Sequence, residues 1–274
     1  MKKEYEPGIY DISNDEYHSS AGISRSGIKE FSRSPLHYWH RYINPEYKRK
    51  DQTPDMIFGS AFHCYVLEPE KFAKEYFISA KNPHHGASTL GKEFKANMLI
   101  ASQGKILLTS EDFDEIVLMH SSIMRDKQAP YLIEDAKYEQ SIYWIDKETG
   151  LLCKSKPDIL HDHFVVVLKT TKDASPRAFQ RDFYNYGYAL QLGMIHEGIK
   201  SLTGNSIVNY IDLAVEKSEP YATAIYPIDE SALQYGIDEF HYWLIRMKEC
   251  IDKNEWRSYE TQTITLPAYA EFNS

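Results

Sequence analysis

The sequence is poor in cysteine. It contains only Cys64, Cys153 and Cys250, and no two of them form a C-x-x-C pair. Zinc ribbons and iron–sulfur clusters need grouped cysteine ligands, and a disulfide framework needs several cysteine pairs, so the sequence argues against all three. We interpret the three cysteines as reduced structural thiols.

Long hydrophobic runs are also missing. No apolar segment approaches the roughly 20 residues that cross a bilayer. The N-terminal stretch MKKEYEPGIYDISNDEYH has basic residues but lacks the apolar core of a signal peptide. The prediction is a soluble cytoplasmic protein without a membrane partner.

Positive charge is in deficit. Lysine and arginine total 31 against 40 acidic residues, which gives a formal net charge of −9. This balance lowers the expectation of nucleic-acid binding but does not exclude it, because DNA responds to the local surface rather than to the net charge. Hydrophobic residues at 42% and aromatic residues at 14% indicate a folded globular protein.

The hydrophobic pattern predicts one α/β domain, with a helical N-terminal segment over residues 1–55 and the core over residues 56–274. Ser24 is the expected N-cap of a first short helix, and Ser34 with Pro35 opens a second. The predicted helices cover residues 24–42 (as a pair), 56–72, 91–103, 110–126 (capped by Ser110), 175–200 and 230–256. The predicted strands cover residues 76–79, 137–146, 151–160, 164–170, 205–217 and 220–229.

Residues 156–175, KPDILHDHFVVVLKTTKDAS, combine an acid with a buried strand and a lysine. Asp158 follows a proline, and the apolar run Phe164 to Leu168 ends at Lys169. Hydrolysis of a phosphodiester requires a divalent ion held by hard oxygen ligands, and a lysine nearby stabilises charge or orients the attacking water. Taken alone, this pattern is more often an ordinary turn and strand than a catalytic site.

Two further features bear on this segment. Gly59-x-x-x-His63 lies in an apolar helix, where a histidine is more often a buried core residue than a ligand, although imidazole does bind Mn²⁺ or Mg²⁺ beside carboxylates. Downstream, the segment YNYGYALQ places Tyr188 and Gln191 on the helix that follows the lysine strand. The alternative for its tyrosines is core packing, which we expect for Tyr184 and Tyr186.

Together and in this order, these motifs resemble the RecB-like branch of the PD-(D/E)xK nucleases, and more narrowly the RecE-type exonucleases of phages and prophages. The resemblance extends nearly from end to end. It is carried by EYHSSAGISRSGIKEFSRSPLHYWH, FGSAFHCYVLEPEKF, SIYWIDKETGLLCKSKPDIL, LKTTKDAS, YGYALQ and the closing LPAYAEF. It implies a central mixed sheet flanked by helices.

The resemblance also implies an activity: 5′→3′ digestion of duplex DNA ends in a bacterial cytoplasm. It further implies one or two Mg²⁺ or Mn²⁺ ions per subunit, a homo-oligomeric ring (a tetramer is favoured) and a RecT-type single-strand annealing partner. The implied metal ligands are His63, Asp158 and the Leu168 carbonyl, and the implied catalytic residues are Lys169, Asp158 and Gln191. The implied contacts with DNA are Ser24, Arg25, Ser26, Thr170, Thr171, Lys172 and Tyr188.

Two positions depart from the family pattern. Val167 stands where the D-x-K motif has its acid, and Ile195 stands where relatives have a tyrosine. An isopropyl group cannot bind a cation, so we expect impaired activity. Three explanations remain open: a deliberate or recent single substitution, a naturally inactive homologue, or replacement of the acid by a neighbour such as Glu139 or Asp162. Glu139 itself is equally well an exposed strand carboxylate.

Besides the nuclease, two other functions fit the sequence. One is a protein that binds DNA ends or loads a recombinase without cutting. The other is a nuclease fold that serves only protein partners. The nuclease and the end-binding protein should both bind duplex ends at low salt, whereas a fold that serves only protein partners should not.

Overall fold

The computed structural model describes residues 2–49, 51–204 and 209–266. The elements of the first half are β1 (Gly8–Tyr10), α1 (Asn14–Ser19), α2 (Arg25–Arg33), α3 (Pro35–Tyr38), a π-helical turn (Trp39–Ile43), α4 (Pro54–Leu67), α5 (Pro69–Glu75), β2 (Tyr76–Ile78), α6 (Thr89–Ala101), β3 (Ile106–Leu108), α7 (Ser110–Arg125) and α8 (Ala129–Ile133). The second half contains β4 (Lys137–Tyr138), β5 (Ser141–Ile145), β6 (Leu152–Ser155), β7 (Ile159–Leu160), β8 (Phe164–Thr171), α9 (Pro176–Asn185), α10 (Tyr188–Thr203), β9 (Asn209–Glu216), β10 (Thr223–Pro227) and α11 (Glu230–Lys253).

The main sheet has five strands in the order β10-β9-β8-β7-β4. Strands β8 and β9 are parallel, whereas the other neighbours pair antiparallel, so the sheet is mixed. A second sheet has the order β1-β5-β6, and β2 pairs with β3 in a two-stranded parallel ribbon. The predicted fold class, α/β with a central mixed sheet flanked by helices, is confirmed.

Strand β8 lies at the centre of the main sheet because its residues are apolar on both faces. Val166 and Leu168 contribute to one hydrophobic cluster, which also contains core residues of α4 and α7. Val165 and Val167 contribute to the opposite cluster, together with residues of α2, α10 and α11. A continuous apolar run is the pattern expected of a strand covered by helices on both sides.

Several predicted elements divide at points where the chain turns. The helix predicted over 175–200 is two helices, because Gly187 between them has a left-handed φ of 66°. The helix predicted over 56–72 ends at Leu67, since Pro69 starts α5. The N-cap of α7 is Thr109 rather than the predicted Ser110, and its hydroxyl accepts a hydrogen bond from the Asp112 amide.

The strands predicted over 137–146 and 151–160 are each two shorter strands. The segment 137–146 is divided between two sheets, β4 in the main sheet and β5 in the three-stranded sheet, and Glu139 between them has a φ of 50°. The segment 151–160 likewise divides into β6 and β7. Strands β1 and β3 were not predicted, and β1 means that the N-terminal segment is not purely helical. The predicted strand residues 205–208 and most of LPAYAEF lie outside the described residues.

Helices α10 and α11 cross closely, which fixes the position of α10 behind the sheet. A Cβ added at Gly236 would lie 1.9 Å from the backbone oxygen of Ala189, and one added at Gly193 would lie 2.4 Å from the backbone of α11. Only glycine allows the two backbones to approach this closely. Since Gln191 lies on α10 between these contact points, the crossing also positions the side chain predicted to serve the site.

Two further expectations from the sequence concern membrane-spanning helices and the state of the cysteines. Among the described residues, no helix is both long and apolar enough to traverse a bilayer. All three cysteines are free thiols, with Cys64 and Cys153 buried.

Candidate active site

His63 lies on α4, one turn after Gly59. The two residues line one cavity of about 250 Å³, together with Glu139. A Cβ built at Gly59 meets no atom within 4 Å, so the glycine leaves open space in front of the histidine. The His63 side chain is 26% exposed, which is more than a core histidine would be.

Asp158 lies at the point where β7 diverges from β8. Its Oδ2 accepts a hydrogen bond of 2.8 Å from the backbone amide of Leu168 and lies 3.8 Å from Nδ1 of His63. The N–H and C=O of a strand residue point to the same side, so the Leu168 carbonyl also faces Asp158. The carbonyl is therefore oriented as the family resemblance implies.

Glu139 is the third member of this group. Its backbone amide donates to the carbonyl of Asp158 at 2.9 Å, and its carboxylate pairs with Lys156 at 3.2 Å. Burial, and secondarily the charge of Asp158, raises the pKa of the Glu139 carboxyl. The alternative of an exposed strand carboxylate is therefore wrong for this residue.

The donor atoms of His63, Glu139 and Asp158 lie within 4.8 Å of one another. One imidazole nitrogen and two carboxylates, with a backbone carbonyl alongside, form a mixed N/O donor set that suits Mg²⁺ or Mn²⁺. The residues present therefore fit a divalent ion. Their number and type satisfy the first requirement of a metal site.

Lys169 lies two residues beyond Val167 on β8 and is held by α10. Its Nζ donates a 2.7 Å hydrogen bond to Oε1 of Gln191 and lies 4.0 Å from the centre of the Tyr188 ring. Burial lowers the pKa of the lysine, while the negative charges of Asp212 and Asp158 oppose this shift. The structure thus brings together the three side chains that the sequence placed on two separate elements.

Val167 is buried with 1% exposure in the apolar cluster under α10 and offers no ligand. Of the two suggested replacements, Asp162 lies in the exposed turn between β7 and β8, whereas Glu139 belongs to the metal-ligand group. Asp212 is a further carboxylate, which no motif of the sequence indicates. It is fully buried on β9 in register with Val167, and burial raises the pKa of its carboxyl to about 6.

The predicted DNA contacts differ in their availability. The Ser24 hydroxyl caps α2, as expected, and lies 3.0 Å from the hydroxyl of Ser26. Arg25 donates to the backbone carbonyls of Tyr186 and Gly187, so its guanidinium joins α2 to the turn before α10.

The three residues after Lys169 also differ in how accessible they are to DNA. The Thr171 hydroxyl bonds within its own turn, to the carbonyl of Asp173 at 3.2 Å. Thr170 is half-buried, and Lys172 is exposed. Lys172 is therefore the most accessible cation of the predicted set.

The expectation that Tyr184 and Tyr186 pack in the core is wrong. They are 71% and 53% exposed, because the break at Gly187 turns this end of α9 outward. The Tyr186 ring stacks on that of Tyr188, with 5.8 Å between centroids, and Tyr188 in turn contacts Lys169. A row of aromatic rings thus leads from the surface to the candidate catalytic lysine.

A comparison with protein families identifies residues 24–264 as a PDDEXK-like domain of unknown function, DUF3799. The chain belongs to the DUF3799 family. The match spans every site residue described above and confirms the predicted assignment to the PD-(D/E)xK superfamily. No match is found among the curated proteins.

One solved structure supports the fold of this DUF3799 chain. A protein from Eubacterium rectale, described as a candidate exonuclease, has a TM-score of 0.58 at 16% sequence identity, covering 93% of this chain and 97% of that chain. An alkaline exonuclease from Laribacter hongkongensis covers 72% of this chain and 96% of its own, at 11% identity. Its TM-score of 0.31 is too low to support an argument. The first comparison establishes the fold alone.

Proposed function

We propose that this chain is a metal-dependent DNA exonuclease that digests duplex ends. The observation that carries the proposal is the group of His63, Glu139 and Asp158 at the fork of β7 and β8, beside the hydrogen-bonded pair Lys169 and Gln191. A PD-(D/E)xK fold with this combination of ligands and lysine has the parts that phosphodiester hydrolysis requires.

Each residue of the site has a chemical task in this proposal. His63, Glu139 and Asp158 would hold a divalent ion, which supplies polarisation of the phosphate and a lower pKa of the attacking water. Lys169 carries positive charge to the scissile phosphate and stabilises the charge that develops on its oxygens. Gln191 accepts from the lysine ammonium and so fixes its direction, while the ring of Tyr188 limits its movement.

The RecE resemblance extends the proposal to polarity, assembly and partners. Digestion would run 5′→3′ and leave 3′ single strands for recombination by single-strand annealing. A homo-oligomeric ring, a tetramer in the RecE-type pattern, would surround the duplex and pass the product strand to a RecT-type annealing protein. The exposed Lys172, together with Ser24 and Ser26 at the start of α2, would contact phosphate groups.

A second candidate function is favoured by Val167. A chain with an apolar residue at the D-x-K acid position would bind DNA ends, or load a recombinase, with impaired or absent cleavage. Both candidates predict affinity for duplex ends. They differ in whether the chain as it stands releases nucleotides.

The test uses a linear duplex labelled at either the 5′ or the 3′ end, with a closed circular duplex as the substrate without ends. With Mg²⁺ or Mn²⁺ we expect loss of the 5′ label first and no attack on the circle, and EDTA should stop the reaction. Asp158→Asn should abolish digestion, whereas Asp162→Asn removes an exposed acid of the same segment and should have no effect. End binding without digestion would favour the second candidate, and absence of both would refute the proposal.

A further inference from the structure

Asp212 lies on β9, directly beside Val167, the residue at the position where the D-x-K motif has its acid. In the parallel pairing of β8 and β9, the residue aligned with Val167 is Asp212. Aligned residues of neighbouring strands project to the same face with their side chains adjacent. The Asp212 carboxylate is therefore on the same face as Val167 and Lys169, one strand away from the expected position of the acid.

Asp158 flanks Val167 from the other side. Ile159 is aligned with Val166 in the antiparallel pairing of β7 and β8, so continuing this register by one residue brings Asp158 beside Val167. The two acids thus stand on either side of the valine. Two strand spacings amount to about 10 Å between Cα atoms, a separation that two aspartate side chains leaning towards each other bridge through one ion and its water.

Asp212 is a buried carboxylate without a hydrogen-bond partner among the described residues. The side chain is 0% exposed, and neither carboxylate oxygen has a hydrogen-bond partner within the described part of the chain. A buried carboxylate without hydrogen bonds is strongly unfavourable unless a cation compensates its charge or a proton neutralises it.

The two cations that act on Asp212 are engaged elsewhere. Lys169 and Arg25 are the positive groups whose charge reaches its carboxylate. The Lys169 ammonium donates to Gln191, and Arg25 donates to backbone carbonyls. Neither cation donates a hydrogen bond to Asp212, although its carboxylate lies near enough to Lys169 and Asp158 for their charges to act on it.

We infer that Asp212 supplies the second strand-borne carboxylate of the metal site, in place of the acid absent at position 167. The inference rests on the proposed metal-dependent nuclease function and specifies its ligands. The carboxylate that position 167 lacks is then supplied by the neighbouring strand β9. The valine then serves as an apolar spacer between Asp158 and Asp212, and the chain as it stands is an active nuclease.

The experiment exchanges the two side chains. Asp212→Asn should lower Mn²⁺ affinity at least 10-fold, measured by electron paramagnetic resonance or calorimetry, and slow digestion of linear duplex at least 100-fold. The double variant Val167→Asp/Asp212→Val restores one acid on the same face without changing the composition, and should recover both Mn²⁺ affinity and digestion to within about 10-fold of the wild type. A residue of merely structural importance would not be rescued by this exchange.

Controls separate folding from function. Asp146→Asn removes another buried carboxylate, in the β5–β6 turn, and should leave Mn²⁺ affinity and digestion unchanged. Circular dichroism verifies that each variant is folded. If Asp212→Asn fails to fold, the folded exchange variant still decides the question through its Mn²⁺ affinity and its rate.

The outcomes for the inference and for the proposed function are distinct. Wild-type affinity and rate in folded Asp212→Asn, or a folded exchange variant without recovery, would overturn the role of Asp212 and leave the nuclease proposal intact. If the wild type does not digest DNA but gains digestion with Val167→Asp alone, the role of Asp212 would also be overturned, and the expectation that Val167 impairs the nuclease would be supported. If neither the wild type nor any variant binds Mn²⁺ or digests DNA, the proposed function itself fails.

Discussion

Replacing Asp158 with asparagine should separate metal binding from folding. Asparagine retains an oxygen that can accept the hydrogen bond from the Leu168 amide, but it removes the charge that faces Glu139 and His63. Two ionised carboxylates no more than 4.8 Å apart repel each other by at least about 3.5 kcal/mol at an effective dielectric constant of about 20. The Lys156 ammonium that pairs with Glu139 offsets most of this repulsion, so we expect the metal-free variant to be more stable by about 1 kcal/mol.

Thermal unfolding with and without Mn²⁺ measures both effects. At 100 times the Kd, a bound ion stabilises the folded chain by about 2.7 kcal/mol, which corresponds to a rise of about 5–10 °C in Tm for a chain of this size. The wild type should show this rise, and Asp158→Asn should lose it while its metal-free Tm is equal or slightly higher. Asp162→Asn should behave as the wild type. The same Mn²⁺-dependent rise in Asp158→Asn, or a large loss of metal-free stability, would refute the reasoning.

Three further predictions concern the lysine, a partly exposed ion pair and a helix crossing. Lys169→Met should slow digestion at least 100-fold but preserve Mn²⁺ affinity, because the lysine acts on the phosphate and its ammonium donates to Gln191 rather than to a metal ligand. A parallel loss of Mn²⁺ affinity would contradict this. The pairing with Glu197 raises the pKa of His241, so this ion pair stabilises the folded chain below the ordinary histidine pKa, and the stabilisation is lost as the pH rises through the pKa of His241 in the folded chain. His241→Gln should remove this part of the pH dependence, which amounts to under about 1 kcal/mol. Denaturant titration between pH 5 and 8 measures it. Gly236→Ala should destabilise the protein by about 3 kcal/mol in the same measurement, because the added methyl overlaps the backbone of α10, and an unchanged stability would show that the helices can separate.

Local patterns in the sequence were sufficient for most helices and for the centre of the sheet. The apolar run of β8 predicted a strand covered on both faces, and Ser24 and Ser34 marked the starts of α2 and α3. Caps and hydrophobic periodicity depend on residues a few positions apart, so they can be recognised without a structure. The order of the motifs around His63, Asp158 and Lys169 also sufficed to predict the superfamily, which the family match confirms.

The composition of the site depended on contacts between distant parts of the chain. Glu139 reaches His63 only because the chain turns between β4 and β5, and Asp212 stands beside Val167 only through the parallel pairing of β8 with β9. Such pairing is set by the register of strands more than forty residues apart and by the helices that cover them, which no local pattern specifies. The sequence by itself therefore determined the superfamily and the absence of an acid at position 167, whereas the tertiary structure decided which carboxylates lie near that position.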